Sequence, residues 1–509
     1  MKSYIQNLKL SENNLRGEKM NQPSIKRNYI YRLFYEMLAI LTPLITAPYI
    51  SRVLGADGVG IYSYTSSIMA YFTMFAALGT QSYGAREVAM HRDDKESVSR
   101  IFWEIELLCF FTTIICIVAW IILIALTPAY RPYFWALLPS LFSVMVNIAW
   151  LFTGFEKIKC IVIRNSVCKI VGVVLLFLLI KNKSDLVLYI VITTMIEFLG
   201  NLSMWTYLPG MICKIKVRTL NITRHIKQNL IYFVPTIAIS IYTILDKTLI
   251  GLITKSAYEN GYYEQATKIM NIVKNAAINS LNSVMGARIA YLYAEQKMEE
   301  IHQRIEKSLD FILLIGYAFA FGILSVARDF VPIFFGSGYD PVIMLLYLMS
   351  PLVVIIGISS CVGAQYLTPC GKQKLAGNLL IVGAMVNLCI NLVLIPRFGA
   401  NGATIATICA ETLITILFVR ASDHNVDFRM IVQLSWKRII AGIIMMIVVI
   451  RGRIYLLRLT SVMMMILEIL MGGAVYIIAL FILKDNMLRS LMRMVIERTK
   501  IILRRGKND

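Results

Sequence analysis

From Asn28 onward the chain alternates apolar runs of roughly 20 residues with short polar connectors. A run of that length crosses about 30 Å of hydrocarbon as an α-helix. The runs cover 29–51, 60–82, 104–127, 133–153, 162–180, 186–208, 229–253, 263–288, 308–328, 341–366, 376–396, 401–419, 437–451 and 461–483, which predicts fourteen spans. In the thirteenth only Ile439–Ile450 lie uncharged between Arg438 and Arg451, a length that suits a re-entrant segment. The eighth run differs from the rest. Within Tyr262–Ala290, Lys268, Asn271, Asn275, Asn279, Asn282 and Gly286 recur at the helical spacing, while Ile269, Met270, Ile272 and Val273 fill the other faces. Each lysine at mid-depth costs roughly 2.5–3.5 kcal/mol against lipid. The stripe, with nearby Lys274, therefore predicts a wall facing protein or water.

The pattern also repeats. Gly60-Ile-Tyr62 is echoed by Gly261-Tyr-Tyr263 and Gly84-Ala85-Arg86 by Gly286-Ala287-Arg288; Thr153, Lys157 and Lys159 recur as Thr368, Lys372 and Lys374. Glu197 and Glu411 each sit in the last span of their half. The expected fold is an all-α integral membrane protein of two six-helix lobes, 29–210 and 225–422, followed by two further helices over 436–483. An even number of spans per repeat gives both lobes the same orientation, related by an axis along the membrane normal, with the site between them. Residues 1–28 and 484–509 read as tails, and the first has no apolar core or cleavage site of a signal peptide.

Composition agrees with this picture. Apolar residues make up 58% of the chain, far above a soluble domain. Lysine and arginine number 51 against 30 acids, for a net charge of +21. Connectors and tails on one side of the predicted spans hold 36 of these cations, against 10 on the other, so both termini are expected in the cytoplasm. Charge spread in this way excludes a nucleic-acid partner. The cationic C-terminal tail is a topology signal, with an amphipathic helix on anionic lipid as the alternative.

Little in the chain suggests catalysis. The nine cysteines form no CxxC pair, and the four histidines stand singly in polar connectors, so neither a metal nor a cofactor is expected. There is no phosphate-binding GxxxxGK[ST] loop. Asp93-Asp94 lies among Arg92, Lys95 and Glu96 as a solvated charge run. The connectors are too short to house a catalytic domain, which argues for a transporter over a membrane enzyme. Charges within spans then carry the information. Arg52, Lys247, Lys268, Lys274, Arg86 and Arg288, with the amides Asn271, Asn275 and Asn279, are the candidates for a cationic cavity that binds an anionic substrate. Lys274 stands out because no acid lies at i±3 or i±4, whereas Glu264 can neutralise Lys268. Asp246, Glu197 and Glu411 are candidates for ion coupling. Pro43, Pro48, Pro235 and Pro351 predict bends.

Asn28–Ala89, with Pro48-Tyr-Ile-Ser-Arg52-Val-Leu-Gly55, Gly58-Val-Gly60-Ile-Tyr62 and Tyr83-Gly84-Ala-Arg86-Glu87, resembles the opening of the bacterial polysaccharide flippases of the multidrug/oligosaccharidyl-lipid/polysaccharide exporter superfamily. Ile395-Pro-Arg-Phe-Gly399-Ala-Asn-Gly402-Ala-Thr is similar to that family's turn before its twelfth helix. The resemblance implies fourteen helices in two lobes. It implies a substrate of undecaprenyl pyrophosphate bearing an O-antigen or capsule oligosaccharide, turned from the inner to the outer leaflet of the cytoplasmic membrane by alternating access. Implied partners are membrane lipids and a polysaccharide polymerase with its chain-length machinery. Arg52, Lys247, Lys268 and Lys274 are the positions that fit the family's lumenal cations. The competing expectation is a cation-coupled drug antiporter of the same superfamily, which needs acids in the lumen; the central residues here are basic.

Overall fold

A computed structural model describes residues 25–216, 220–275, 278, 280–423, 425–456 and 460–505, and among them every regular element is helical. The first group comprises α1 (Ile25–Ala77), α2 (Thr80–His91), α3 (Lys95–Leu126), a crossing of three short helices α4 (Arg131–Leu137), α5 (Pro139–Met145) and α6 (Ala149–Gly154), then α7 (Ile158–Leu179) and α8 (Leu186–Ser203). The second comprises α9 (Thr223–Thr254), α10 (Ala257–Lys274), α11 (Ser280–Ala294), α12 (Met298–Phe335), α13 (Pro341–Met349), α14 (Leu352–Ser360), a π-helical turn at Cys361–Leu367, and α15 (Gln373–Arg420). Helices α16 (Phe428–Leu456) and α17 (Ser461–Ile482) pack on α12, and α18 (Asn486–Arg505) ends the described chain. Ten of these runs are long and apolar enough to cross a membrane.

Two of the ten runs hold a reversal. Gly55 breaks α1 at φ 73°, a conformation open to glycine because it lacks a Cβ. Ser51 and Ser63, about 18 Å apart in a straight helix, instead reach neighbouring residues of α10: Gln265 donates to Ser51 at 2.9 Å and Ser63 donates to Glu264 at 2.9 Å. Gly399 (φ 54°) does the same in α15, so that Asn391 and Thr407 both reach Asp246. In the second group the equivalent of Gly55 is Lys255, which is also left-handed at φ 53°.

The two groups meet along α1 and α10 in a reciprocal way. A Cβ on Gly60 would overlap the Ala257 carbonyl, and a Cβ on Gly261 would overlap that of Ala56. The contacts Ala56 to Gly261 and Gly60 to Ala257 thus exchange partners under an offset of 201 residues, the mark of an isologous contact. Ser63 and Glu264 share that offset and touch each other, which puts them beside the pseudo-two-fold axis.

Several expectations are revised. The eighth span is two helices, α10 and α11, with π-type turns at Asn275 and Ile278; a wider turn of this kind re-aims the side chains that follow it. Asn282, below that turn, bonds Ser360 and Gln365 at 2.7 Å each, so the lower part of the polar stripe joins α11 to the π-helical segment instead of facing water. The thirteenth span is a continuous 29-residue helix. Of the charges near its ends, Arg438 is buried against Asp310 and Asp485, Arg453 meets Asp329 at 2.5 Å, and Arg451 is exposed. Pro43 and Pro48 lie inside α1, and the break in the tenth span falls at Pro351. Asp94 is the N-cap of α3; the Ser97 hydroxyl and the Ser97 and Glu96 amides donate to it and hold its carboxyl below the usual range. Most of the C-terminal tail is α18, with Leu488 buried.

Candidate functional site

The reversal at Lys255 lays α9 alongside α10 and brings Lys247 to Glu264, a contact between two different helices. Lys247 Nζ lies 2.6 Å from Glu264 Oε2 and Lys268 Nζ 3.5 Å from Glu264 Oε1. Ser63 of α1 completes the group, and Asn260 Nδ2 donates to the Lys247 carbonyl at 2.7 Å. Two of the expected cavity lysines therefore share one carboxylate, and their charge is partly spent there. Two lysines against one acid still leave a surplus of one positive charge.

Ala266, Ile269, Met270 and Val273 form the buried stripe of α10, and Glu264, Lys268, Asn271 and Asn275 lie on the opposite side. Asn271 and Asn275 are exposed. Lys274 is half-buried at the end of α10 and forms no ion pair among the described residues. Asn279 lies outside the described residues. The remaining cations stand apart from this wall. Arg52 is exposed and donates to the Ile333 carbonyl, clasping α1 to the end of α12 beside Gly336. Arg86 donates to the Tyr232 hydroxyl at 2.9 Å, and Arg288 sits 5.1 Å from the centre of the Tyr291 ring. Both are exposed. A lysine wall on α9 and α10 is what the structure assembles; a single ring of six cations is not.

The three acids occupy different settings. Asp246 is buried and accepts from Tyr263 at 2.5 Å, Thr407 at 2.6 Å and Asn391 at 2.7 Å. Glu411 is buried among packed side chains. Glu197 is exposed to open space within the first group of helices. It edges two adjoining cavities there. One, of about 500 Å³, is lined by Tyr62, Ser66, Thr73, Ser140 and Thr193; the other, of about 310 Å³, is lined by Arg164, Asn165, Lys169 and Asn201.

Sequence reasoning missed Arg164 and Lys169. Arg164 counts as a connector cation when only span limits are drawn, yet it lies inside α7 and donates to Asn201 of α8. Lys169 sits mid-span with no acid at i±3 or i±4, the criterion that singles out Lys274. Ile163, Val167, Ile170 and Val174 are exposed on the outer face of α7, while Arg164, Asn165, Cys168 and Lys169 turn inward. His225, expected in a polar connector, is buried: it bonds Tyr83 and Glu104 at 2.7 Å each and ties the start of α9 to α2 and α3. A third cavity, of about 390 Å³, lies between α12, α16 and α17, and its walls are apolar apart from Ser325, Glu468 and Tyr476.

Comparisons with known proteins place this geometry. Residues 25–285 match the model of a family described as polysaccharide biosynthesis protein. A protein of Escherichia coli (strain K12) named as an O-antigen transporter is 27% identical over 414 residues, covering 80% of this chain and 98% of that one. One from Shigella dysenteriae with the same name is 22% identical over 404 residues, 78% of this chain and all of its own. Among solved structures, the lipid II flippase MurJ in an inward closed conformation superposes with a TM-score of 0.68 at 14% identity, covering 91% of this chain and 99% of that one. That likeness is one of fold.

Proposed function

The chain belongs to the polysaccharide biosynthesis protein family, and from that premise we propose that it is a flippase for undecaprenyl-pyrophosphate-linked oligosaccharide repeat units. It carries them from the inner to the outer leaflet of a bacterial cytoplasmic membrane, with both termini in the cytoplasm. It acts as a transporter rather than an enzyme. The observation that carries this reading is the lysine wall. Lys274 has no ion-pair partner among the described residues, and one acid serves both Lys247 and Lys268. A wall with surplus positive charge in a membrane lobe suits the pyrophosphate of a lipid-linked sugar. The apolar cavity against α16 and α17 suits a polyprenyl chain.

Alternating access rests on the glycine seam, where two helix backbones meet closely and the bonds from Gln265 to Ser51 and from Ser63 to Glu264 are the contacts to be exchanged. Ion coupling is assigned to Asp246. Its three donors and the unpartnered, buried Asn391 Oδ1 support a site for a proton or small cation. Delivery of flipped units to a polymerase and its chain-length machinery completes the reading.

The test is complementation of a strain that lacks its own flippase. Wild-type protein is expected to restore surface polysaccharide, and Lys274→Ala is expected to abolish it at unchanged membrane abundance. Normal polysaccharide in the Lys274→Ala strain removes the assigned role. Resistance to cationic dyes without polysaccharide restoration would instead favour the drug antiporter.

A further inference from the structure

A charge imbalance lies at the wall of the apolar cavity between α12, α16 and α17. Glu468 of α17 belongs to that wall and is 1% exposed. Beside it stand Asp329 of α12, 8% exposed, and Arg453 of α16. Arg453 donates to Asp329 Oδ1 at 2.5 Å. Glu468 Oε2 and Asp329 Oδ2 are both buried and meet no hydrogen-bond donor. The cluster sets two carboxyl groups against one guanidinium, with an unanswered oxygen on each acid. Fully ionised, it would leave a net negative charge between membrane helices, where an uncompensated charge is costly.

A positive charge between the two acids restores the balance, and the surroundings decide its kind. A metal cation draws on several oxygen ligands. The other polar groups of the wall are tied to backbone carbonyls: Ser325 donates to Phe321 at 2.7 Å and Tyr476 to Leu314 at 2.9 Å. A proton needs only the two carboxyl groups themselves, and neighbouring acids that cannot both ionise share one. Among the described residues, Arg453 is the charged group that faces the pair and Tyr476 the other titratable group of the wall; α10 and α13 bring Ile269 and Leu346. Asp246 differs, since three donors already meet its charge.

The cavity itself, of about 390 Å³, suits a hydrocarbon chain. Phe319 and Ile469 in its wall are exposed, so it reaches the surface of the bundle. Gly322 and Gly473 border open space, where an added Cβ would meet nothing within 4 Å. A chain lying on Glu468 takes water away from it, which a neutral carboxylic acid tolerates far better than a carboxylate. Chain and proton therefore favour each other's binding. We propose that Asp329 and Glu468 hold one proton between them, and that this proton lets a hydrocarbon chain occupy the cavity they border. A polyprenyl origin for that chain rests on the flippase reading above; the proton does not.

Photolabelling of the full-length protein in nanodiscs tests this. Two diazirine probes are used, one on undecaprenol and one on the acyl chain of phosphatidylethanolamine, and labelled peptides of α12, α16 and α17 are quantified from mildly acid to mildly alkaline buffer. Labelling of the wild type by at least one probe is expected to fall about tenfold as the pH rises, and the probe that shows the fall identifies the source as polyprenyl lipid or bilayer. Glu468→Gln and Asp329→Asn each leave one carboxylate to one guanidinium, so both are expected to lose that response. Thermal unfolding confirms that each is folded, and either one suffices. Gly473→Leu fills the cavity and is expected to remove the label at every pH. Absence of label from both probes, a wild type that ignores pH, a response retained in the charge variants, or label that survives Gly473→Leu overturns the inference and leaves the flippase standing. The full response in a protein that restores no polysaccharide removes the flippase reading and leaves the proton in place.

Discussion

Glu197 and Glu411 occupy the last span of their respective halves, yet one borders two cavities and the other is buried among packed side chains. The same division recurs at Asp246, which is caged by donors from α10 and α15, whereas Arg164 and Lys169 line open space. The halves share a backbone plan, as the reciprocal Gly60 and Gly261 contacts show. What separates them is whether the polar groups are packed in or border open space. The first half encloses the two polar cavities beside Glu197, while the cavity that the second half borders is lined by mainly apolar side chains. A repeat thus supplies two matching frames whose side chains have diverged.

The seam offers the largest test of the shared plan. Gly261→Val would drive its side chain into the Ala56 backbone, and Gly60→Val into that of Ala257. Both are expected to abolish transport, and by the pseudo-symmetry to the same degree; a tolerated Val at one position and not the other would show that the seam is not a two-fold contact. Next in size is Glu264→Gln, which leaves Lys247 and Lys268 without a counter-charge. Breaking a largely buried pair costs about 3 kcal/mol, and calorimetry on the purified protein should record it. Adding Lys247→Met is expected to recover part of that loss; no recovery would show that the charges are independent. Smallest is Asn282→Ala, which removes bonds to Ser360 and Gln365. It should lower stability by about 1 kcal/mol and leave transport unchanged. A loss of transport there would return the lower stripe to the cavity wall.

Run length and helical period carried most of the fold, because a membrane span is a local property of some 20 residues. The repeat was legible at Gly60 and Gly261 because close backbone approach admits only glycine. Pairing between spans was not legible. Glu264 shows its i,i+4 partner Lys268 in the sequence, but its shorter contact is with Lys247, across the reversal at Lys255. The inward face of α7 depends on Asn201 from α8, which no spacing reveals. The short apolar stretch of the thirteenth span misled because Arg438 and Arg453 find their acids on α12 and beyond α17.

The central claim is that this protein turns a lipid-linked sugar across a bilayer by means of a cationic wall. Purified protein in liposomes, with lipid-linked repeat units in one leaflet and a membrane-impermeant glycan-modifying enzyme outside, reads the movement directly. Wild-type protein should render the inner-leaflet pool accessible, and Lys274→Ala should leave it protected. An inner pool that stays protected with wild-type protein, or equal exposure with both proteins, would contradict the account.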